Sequence, residues 1–167
     1  LFGQCSDMEP ILKIAEEHNL YVIEDNAQAI GAEYTFASGE VKKAGTMSTV
    51  GTTSFFPSKN LGCYGDGGAV FTNNDDLAYK IRGIVNHGMY ERYYHDEVGV
   101  NSRLDSVQAA ILRKKLPHLD TYNEARRKAA DYYDEAFAGN ENILTPKRAE
   151  NSTHVFHQYT LRILNGK

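Results

Sequence analysis

Cysteine is scarce in this 167-residue sequence. Cys5 and Cys63 stand alone and lack metal-ligand spacing. They read as free thiols of a reducing cytoplasm, and neither a disulfide framework nor a metal site is expected. A basic excess is missing too, since 18 Lys and Arg face 22 Asp and Glu for a formal net charge of −4. That balance gives no electrostatic reason to bind nucleic acid or an anionic membrane. No apolar run approaches the roughly 20 residues of a membrane span. There is no internal repeat and no low-complexity tract. The glycine cluster Gly65-Asp66-Gly67-Gly68 lacks the Gly-Lys-Ser/Thr ending of a P-loop, and no Gly-x-Ser-x-Gly elbow is present. What remains is an ordinary soluble, globular composition with enough apolar residues for a core and a length suited to about one domain.

The elements alternate as in an α/β protein. Ser6-Asp7-Met8-Glu9 has the form of a capping box, with Ser6 bonding the helix start and Glu9 reaching back. Ile11, Leu12, Ile14 and Ala15 then give a helical apolar face, and Asn19 suits the stop. Leu20 to Ile23 reads as a buried parallel strand, with further strands over Ser48 to Phe56 and Ala69 to Thr72. Asp75 to Asn86 predicts a helix, and Gly88 to Val100 a polar, tyrosine-rich loop. Leu104 to Leu116 predicts another helix, with Leu104, Val107, Ile111 and Leu112 inward. Pro117 opens a longer one in which Leu119, Tyr122, Ala125, Ala129, Tyr133 and Phe137 roughly keep helical spacing up to Gly139. Tyr159 to Leu164 reads as a strand, followed by the turn signal Asn165-Gly166 with no partner strand after it. That turn, together with leucine at position 1, suggests a piece of a longer protein.

The chemistry gathers at two strand ends. Asp25 closes the run Tyr21-Val22-Ile23-Glu24, and Lys59 follows the next strand in Ser54-Phe55-Phe56-Pro57-Ser58-Lys59. In open α/β sheets, ligand groups collect beyond the carboxyl ends of strands, so both side chains can share one crevice. Lys59 has apolar, small and hydroxyl neighbours, a setting that favours a nucleophilic amine. A sheltered lysine, a strand-end acid and Ser54 together suggest pyridoxal phosphate (PLP): the lysine as its covalent attachment, the acid on the pyridinium nitrogen, the serine on the phosphate. The competing readings are a solvated surface lysine and a capping aspartate. The histidines are scattered. His154 and His157, near Phe156 and Tyr159, are candidates for a substrate pocket or for a structural role, and Arg92 to His95 for a sugar-contacting or merely solvated loop.

These stretches resemble the DegT/DnrJ/StrS nucleotide-sugar aminotransferases, PLP enzymes of fold type I. The resemblance rests on Glu24-Asp25-Asn26-Ala27-Gln28-Ala29-Ile30-Gly31-Ala32, on Ser54 to Gly62, on Gly65 to Ala69, on Val100-Asn101-Ser102-Arg103-Leu104-Asp105 and on Gln108-Ala109-Ala110, in that order. It implies Lys59 as the Schiff-base lysine, Asp25 as the pyridinium partner, Gln28 against the ring or its hydroxyl, and Ser54 on the phosphate. It implies Asn101 on the phosphate of a neighbouring subunit, so that a homodimer shares its sites, with Arg103 close to the same composite site. Arg103, His157 and Tyr159 are the substrate-binding candidates. The expected substrates are an amino donor, glutamate by resemblance, and a nucleotide-linked keto-sugar; the stretch from Tyr93 to Arg103 resembles relatives acting on 3-keto sugars. Lys59 argues against the dehydratase branch, which carries histidine there. The expected fold is part of a fold type I large domain over residues 1–115, with residues 116–167 as a linking helix and the start of a small domain. A non-catalytic regulatory or scaffold protein of the same fold is the alternative.

Overall fold

The computed structural model describes residues 1–164 and Gly166. Helix α1 (Met8–Glu17) leads into β1 (Ile23–Asp25), then the hairpin β2 (Glu33–Thr35) and β3 (Val41–Lys43), then β4 (Val50–Ser54) and β5 (Gly68–Phe71). Helix α2 (Asp75–Val85) precedes a second hairpin, β6 (Met89–Glu91) and β7 (Tyr94–His95). Helix α3 (Ser106–Lys115) passes through a 3-10 turn at Leu116–His118 into α4 (Leu119–Phe137), and β8 (Ile143–Leu144) pairs with β9 (Arg162–Ile163). The central sheet has the order β1-β4-β5. β1 runs parallel to β4 with Asp25 opposite Thr52, and β5 runs antiparallel to β4 with Gly68 opposite Ser54. Asp25 and the start of the Lys59 loop therefore leave the sheet at the same end. Among the described residues no helix is long and apolar enough to cross a membrane.

Several expectations are corrected. No capping box forms. Asp7 stands at the N-cap without a side-chain cap bond, and its carboxylate instead accepts from the Tyr34 hydroxyl at 2.5 Å. Glu9 accepts from Ala37 N at 3.0 Å. Tyr34 is almost fully buried and its hydroxyl must be satisfied, so this tertiary bond displaces the local one. Asn19 does end α1 in the left-handed region, at φ 51°. The inward side of the helix is Met8, Leu12 and Ala15, while Ile11 and Ile14 are exposed. The strand expected at Leu20 to Ile23 begins only at Ile23, which is 72% exposed. It forms the edge of the described sheet and is not buried.

The β2–β3 hairpin was not expected, although Tyr34, Thr35 and Val41 flank Ser38-Gly39, with Gly39 at φ 87°. The region read as a loop contains the β6–β7 hairpin. In α3 only Leu112 is buried, and Val107 faces out. In α4 the inward stripe is Leu119, Asn123 and Ala130, while Tyr122, Ala125, Ala129 and Tyr133 are exposed. That stripe is displaced because Asn123 spends its amide on buried partners. Tyr159 to Leu161 lies outside β9, and the Asn165-Gly166 turn falls on Asn165, outside the described residues.

The core draws on the turn after β1, the loop after β4, helices α3 and α4 and the C-terminal return, with Met8 of α1 clustered against Tyr34 and Met47. Ala29, Ala32, Ala44 and Val155 form one cluster, and Leu61, Cys63, Leu112 and Leu119 another. Residues 151–155 return to the first β-hairpin, with Thr35 N donating to Asn151 O at 2.8 Å, and to the segment before α1, with Val155 N donating to Gly3 O at 2.7 Å. In this return His154 is 5% exposed, and its Nδ1 accepts from Phe156 N at 3.0 Å. Burial, helped by the Arg148 cation, lowers its pKa to about 4. Below pH 6.5 the unfolded chain takes up a proton that folded His154 refuses until about pH 4. Stability therefore falls as the pH drops through this window, by up to about 3 kcal/mol at its lower edge. His154→Asn, whose Oδ1 can still accept from Phe156 N, should flatten that dependence in denaturant titrations of the full-length protein. An unchanged slope would mean that other groups carry it.

Candidate active site

Alternation along β1 places Glu24 and Asp25 in different surroundings. Glu24 is spent on structure: its two oxygens accept from Gly45 N at 2.7 Å and Met47 N at 3.2 Å. Asp25 ends the strand, exposed, with Oδ1 accepting from Ala27 N at 2.9 Å. It caps a turn and no helix, so one carboxylate oxygen remains without a partner among the described residues. Gln28, in the same turn, accepts from Phe2 N through Oε1 at 2.7 Å, which leaves its amide nitrogen available. Lys59 is half-buried, its backbone N–H donating to Phe56 O at 2.9 Å. Its amine makes no hydrogen bond or ion pair with any described residue.

These side chains meet. A cleft of about 580 Å³ is lined by Asp25, Asn26, Gln28 and Lys59, together with Gln4 and Cys5. Asn26 is buried in the cleft wall, and its Oδ1 is the one buried side-chain oxygen without a hydrogen-bond partner among the described residues. An amine, a carboxylate oxygen and an amide nitrogen, all unspent, are the groups that a pyridine aldehyde cofactor would engage. The residues present fit PLP. Among the described residues no three or more His, Cys, Asp or Glu come together as metal ligands.

The other candidates lie elsewhere. Ser54 ends β4, where its Oγ accepts from Phe56 N at 3.2 Å, and it does not line this cleft. Asn101 and Arg103 line a second cleft, of about 710 Å³, beside Thr52, Asp66 and Gly68. Asn101 forms a backbone bridge with Asn86, and Arg103 Nη1 donates to Asn86 Oδ1. His157 Nδ1 lies 3.3 Å from Asn60 Oδ1, and burial, with the cations of Lys59 and Arg126, lowers its pKa. The Tyr159 hydroxyl donates to Asp134 Oδ1 at 2.5 Å; burial and that carboxylate push its pKa up to about 12. Sequence reasoning missed Asn60, Asn123 and the orphaned acceptor of Asn26. The available signals were an amide directly after Lys59 and another that interrupts the apolar spacing of α4. Nothing local pointed to Cys5 in the cleft lining.

The model of the DegT/DnrJ/EryC1/StrS aminotransferase family matches residues 1–167. The chain belongs to this family. Members are PLP-dependent and have the α/β architecture of fold type I, as the resemblance implied. The chain is 52% identical over 97% of its length to a "pleiotropic regulatory protein" of Geobacillus stearothermophilus, of which it covers 43%. It is 49% identical over 99% of its length to UDP-2-acetamido-2-deoxy-3-oxo-D-glucuronate aminotransferase of Pseudomonas aeruginosa, of which it covers 44%. The crystal structure of DesV from S. venezuelae, in complex with a ketimine intermediate, superposes with a TM-score of 0.91 at 42% identity, covering 98% of this chain and 43% of that one. The chain thus spans less than half the length of the relatives it matches.

Proposed function

We propose that the full-length protein carrying this chain is an aminotransferase that moves an amino group from glutamate to a nucleotide-linked keto-sugar, with PLP as cofactor. The observation that carries this reading is the meeting of Lys59, its amine unpartnered, with Asp25 in one cleft. Bound there, PLP supplies an electron sink for the negative charge that develops at the amino-bearing carbon. Lys59 Nζ would be the attachment point for the cofactor, and its free amine would serve as the base that moves the substrate's proton. Asp25 is the group that holds a proton on the ring nitrogen by presenting a negative charge to it. Gln28 has its amide nitrogen free to orient the ring. Ser54, outside the lining of the Lys59 cleft but with its hydroxyl hydrogen uncommitted, is assigned to the phosphate on the family resemblance. Arg103, His157 and Tyr159 are assigned to substrate.

Residues 1–115 then belong to the cofactor-binding domain, and 116–167 form the linking helix and the beginning of the small domain. The protein acts in the cytoplasm, in polysaccharide biosynthesis, as a homodimer. Asn101 and Arg103 occupy a different cleft from Lys59, as they would if they served the partner's site. Mixing full-length Lys59→Ala and Asn101→Ala variants under subunit exchange should give activity above either parent, because one site of the mixed dimer carries both lesions and the other none. Exchange without recovery would place Asn101 in its own subunit's site or in none. A regulatory protein of the same fold is favoured by the names of two relatives, the Geobacillus protein and the "erythromycin biosynthesis sensory transduction protein EryC1" of Saccharopolyspora erythraea, and it would have no use for the Lys59–Asp25 pair. Assay against a panel of keto-sugar nucleotides with glutamate, following 2-oxoglutarate, tests the reading. Turnover of one or more sugars supports it, and no turnover by cofactor-loaded protein on any of them counts for the regulatory alternative.

A further inference from the structure

Asn60 follows Lys59 directly and is 6% exposed. A buried amide must satisfy both of its polar ends. Its Nδ2 donates to Asn123 Oδ1 at 2.7 Å and to Val155 O at 3.0 Å, while its Oδ1 faces His157 Nδ1 at 3.3 Å. Asn123, on α4 and 1% exposed, donates its own Nδ2 to Ile30 O at 3.1 Å. A backbone carbonyl only accepts, so Ile30 O and Val155 O decide which end of each amide is the donor. The polarity of the whole chain follows. Asn123 gives to Ile30 and accepts from Asn60, and Asn60 in turn accepts from an Nδ1–H of His157. Neither amide can flip without losing a bond to a main-chain carbonyl. Gly31 makes room for this arrangement, since a Cβ added there would lie 2.5 Å from Asn123 Nδ2.

We infer that Asn60 and Asn123 are positioning residues for Lys59. The inference rests on the assignment of Lys59 made above. The lysine amine has no partner of its own among the described residues, so its place in the cleft is set by the backbone that carries it. That backbone is pinned one residue on, through Asn60, to three segments far apart in sequence: the turn at Ile30, helix α4 and the return at Val155 and His157. Loss of the Asn123 acceptor leaves Asn60 held only by Val155 O and His157, cuts its link to α4 and the turn at Ile30, and lets the lysine shift. In a preorganised site a displacement of about 1 Å can cost as much as 100-fold in rate.

The test uses the full-length protein and reads Lys59 without relying on turnover. In the cofactor-free protein, competitive acetylation across a pH series, quantified on the Lys59 peptide by mass spectrometry, reports the reactivity of that amine. Asn123→Leu keeps the branching and number of heavy atoms and cannot accept from Asn60. It should change the Lys59 labelling rate about threefold or more while Lys43, ion-paired at the surface with Glu33, keeps its rate. After loading, kcat should fall about tenfold and KM by less than about twofold. Asn123→Ala, in which a water can replace the amide, should fall between wild type and Asn123→Leu, and it carries the test if the leucine variant does not fold. Ala130→Gly weakens the same helix without touching the amide chain and should leave Lys59 labelling unchanged. If Lys59 labels at the wild-type rate in the Asn123 variants, or shifts as much in Ala130→Gly, the amides are only structural and the inference fails. The two readings fail separately. If borohydride fixes the cofactor to a lysine other than Lys59 in the wild-type protein, the underlying assignment is wrong whatever the labelling shows. If it fixes it to Lys59 and labelling is unmoved, only the positioning role is lost.

Discussion

Lys59→Ala in the full-length protein is expected to abolish transamination, with a loss of at least about four orders of magnitude, since removing a general base alone costs up to about 10⁴-fold. The lysine also attaches the cofactor, so the loss should exceed that of a base alone. The fold should survive, because Lys59 makes no side-chain hydrogen bond or ion pair among the described residues and truncating it strands no partner. The variant should therefore melt within a few degrees of wild type and show no visible absorbance from covalently attached cofactor. Appreciable turnover by this variant, with no added amine to substitute, would remove Lys59 from the mechanism.

Asp25→Asn is expected to lower kcat by about 10² to 10³, the scale of losing one preorganised electrostatic contact to developing charge. The substitution keeps size, and Asn can still accept from Ala27 N through its carbonyl oxygen, so the turn after β1 should persist. What disappears is the negative charge that keeps a proton on the ring nitrogen. The loss should fall on kcat far more than on KM, because the contact matters most as carbanion character develops. A near-normal kcat would reduce Asp25 to the cap of a turn.

How much of this was legible before the fold is best seen in particular residues. Asp25 and Lys59 were placed together because each follows an apolar, β-rich run, and parallel strands bring their carboxyl ends to one edge. The same logic did not reach Asn60 and Asn123, whose hydrogen bond spans 63 residues of sequence. A buried polar pair leaves no periodic trace, and it sets a polar residue, Asn123, on the inward face of α4 between Leu119 and Ala130. The capping box failed for a related reason. Local motifs predict local bonds, and the buried hydroxyl of Tyr34 claimed Asp7 instead. Burial of the β1 run was overestimated because apolar composition says what a strand can pack against, not whether a neighbouring strand lies within the same stretch of chain. The hairpin between Glu33 and Lys43 carried a turn signal at Ser38-Gly39, but its two three-residue strands are too short to stand out by alternation.

The central claim is that Lys59 holds the cofactor. The most direct test is to incubate the full-length protein with PLP, reduce it with borohydride and map the modified peptide by mass spectrometry. A single phosphopyridoxyl group on Lys59 is expected, absent when glutamate is added before reduction. A phosphopyridoxyl group on another lysine, or none under conditions where the protein is folded and cofactor is in excess, would contradict the claim.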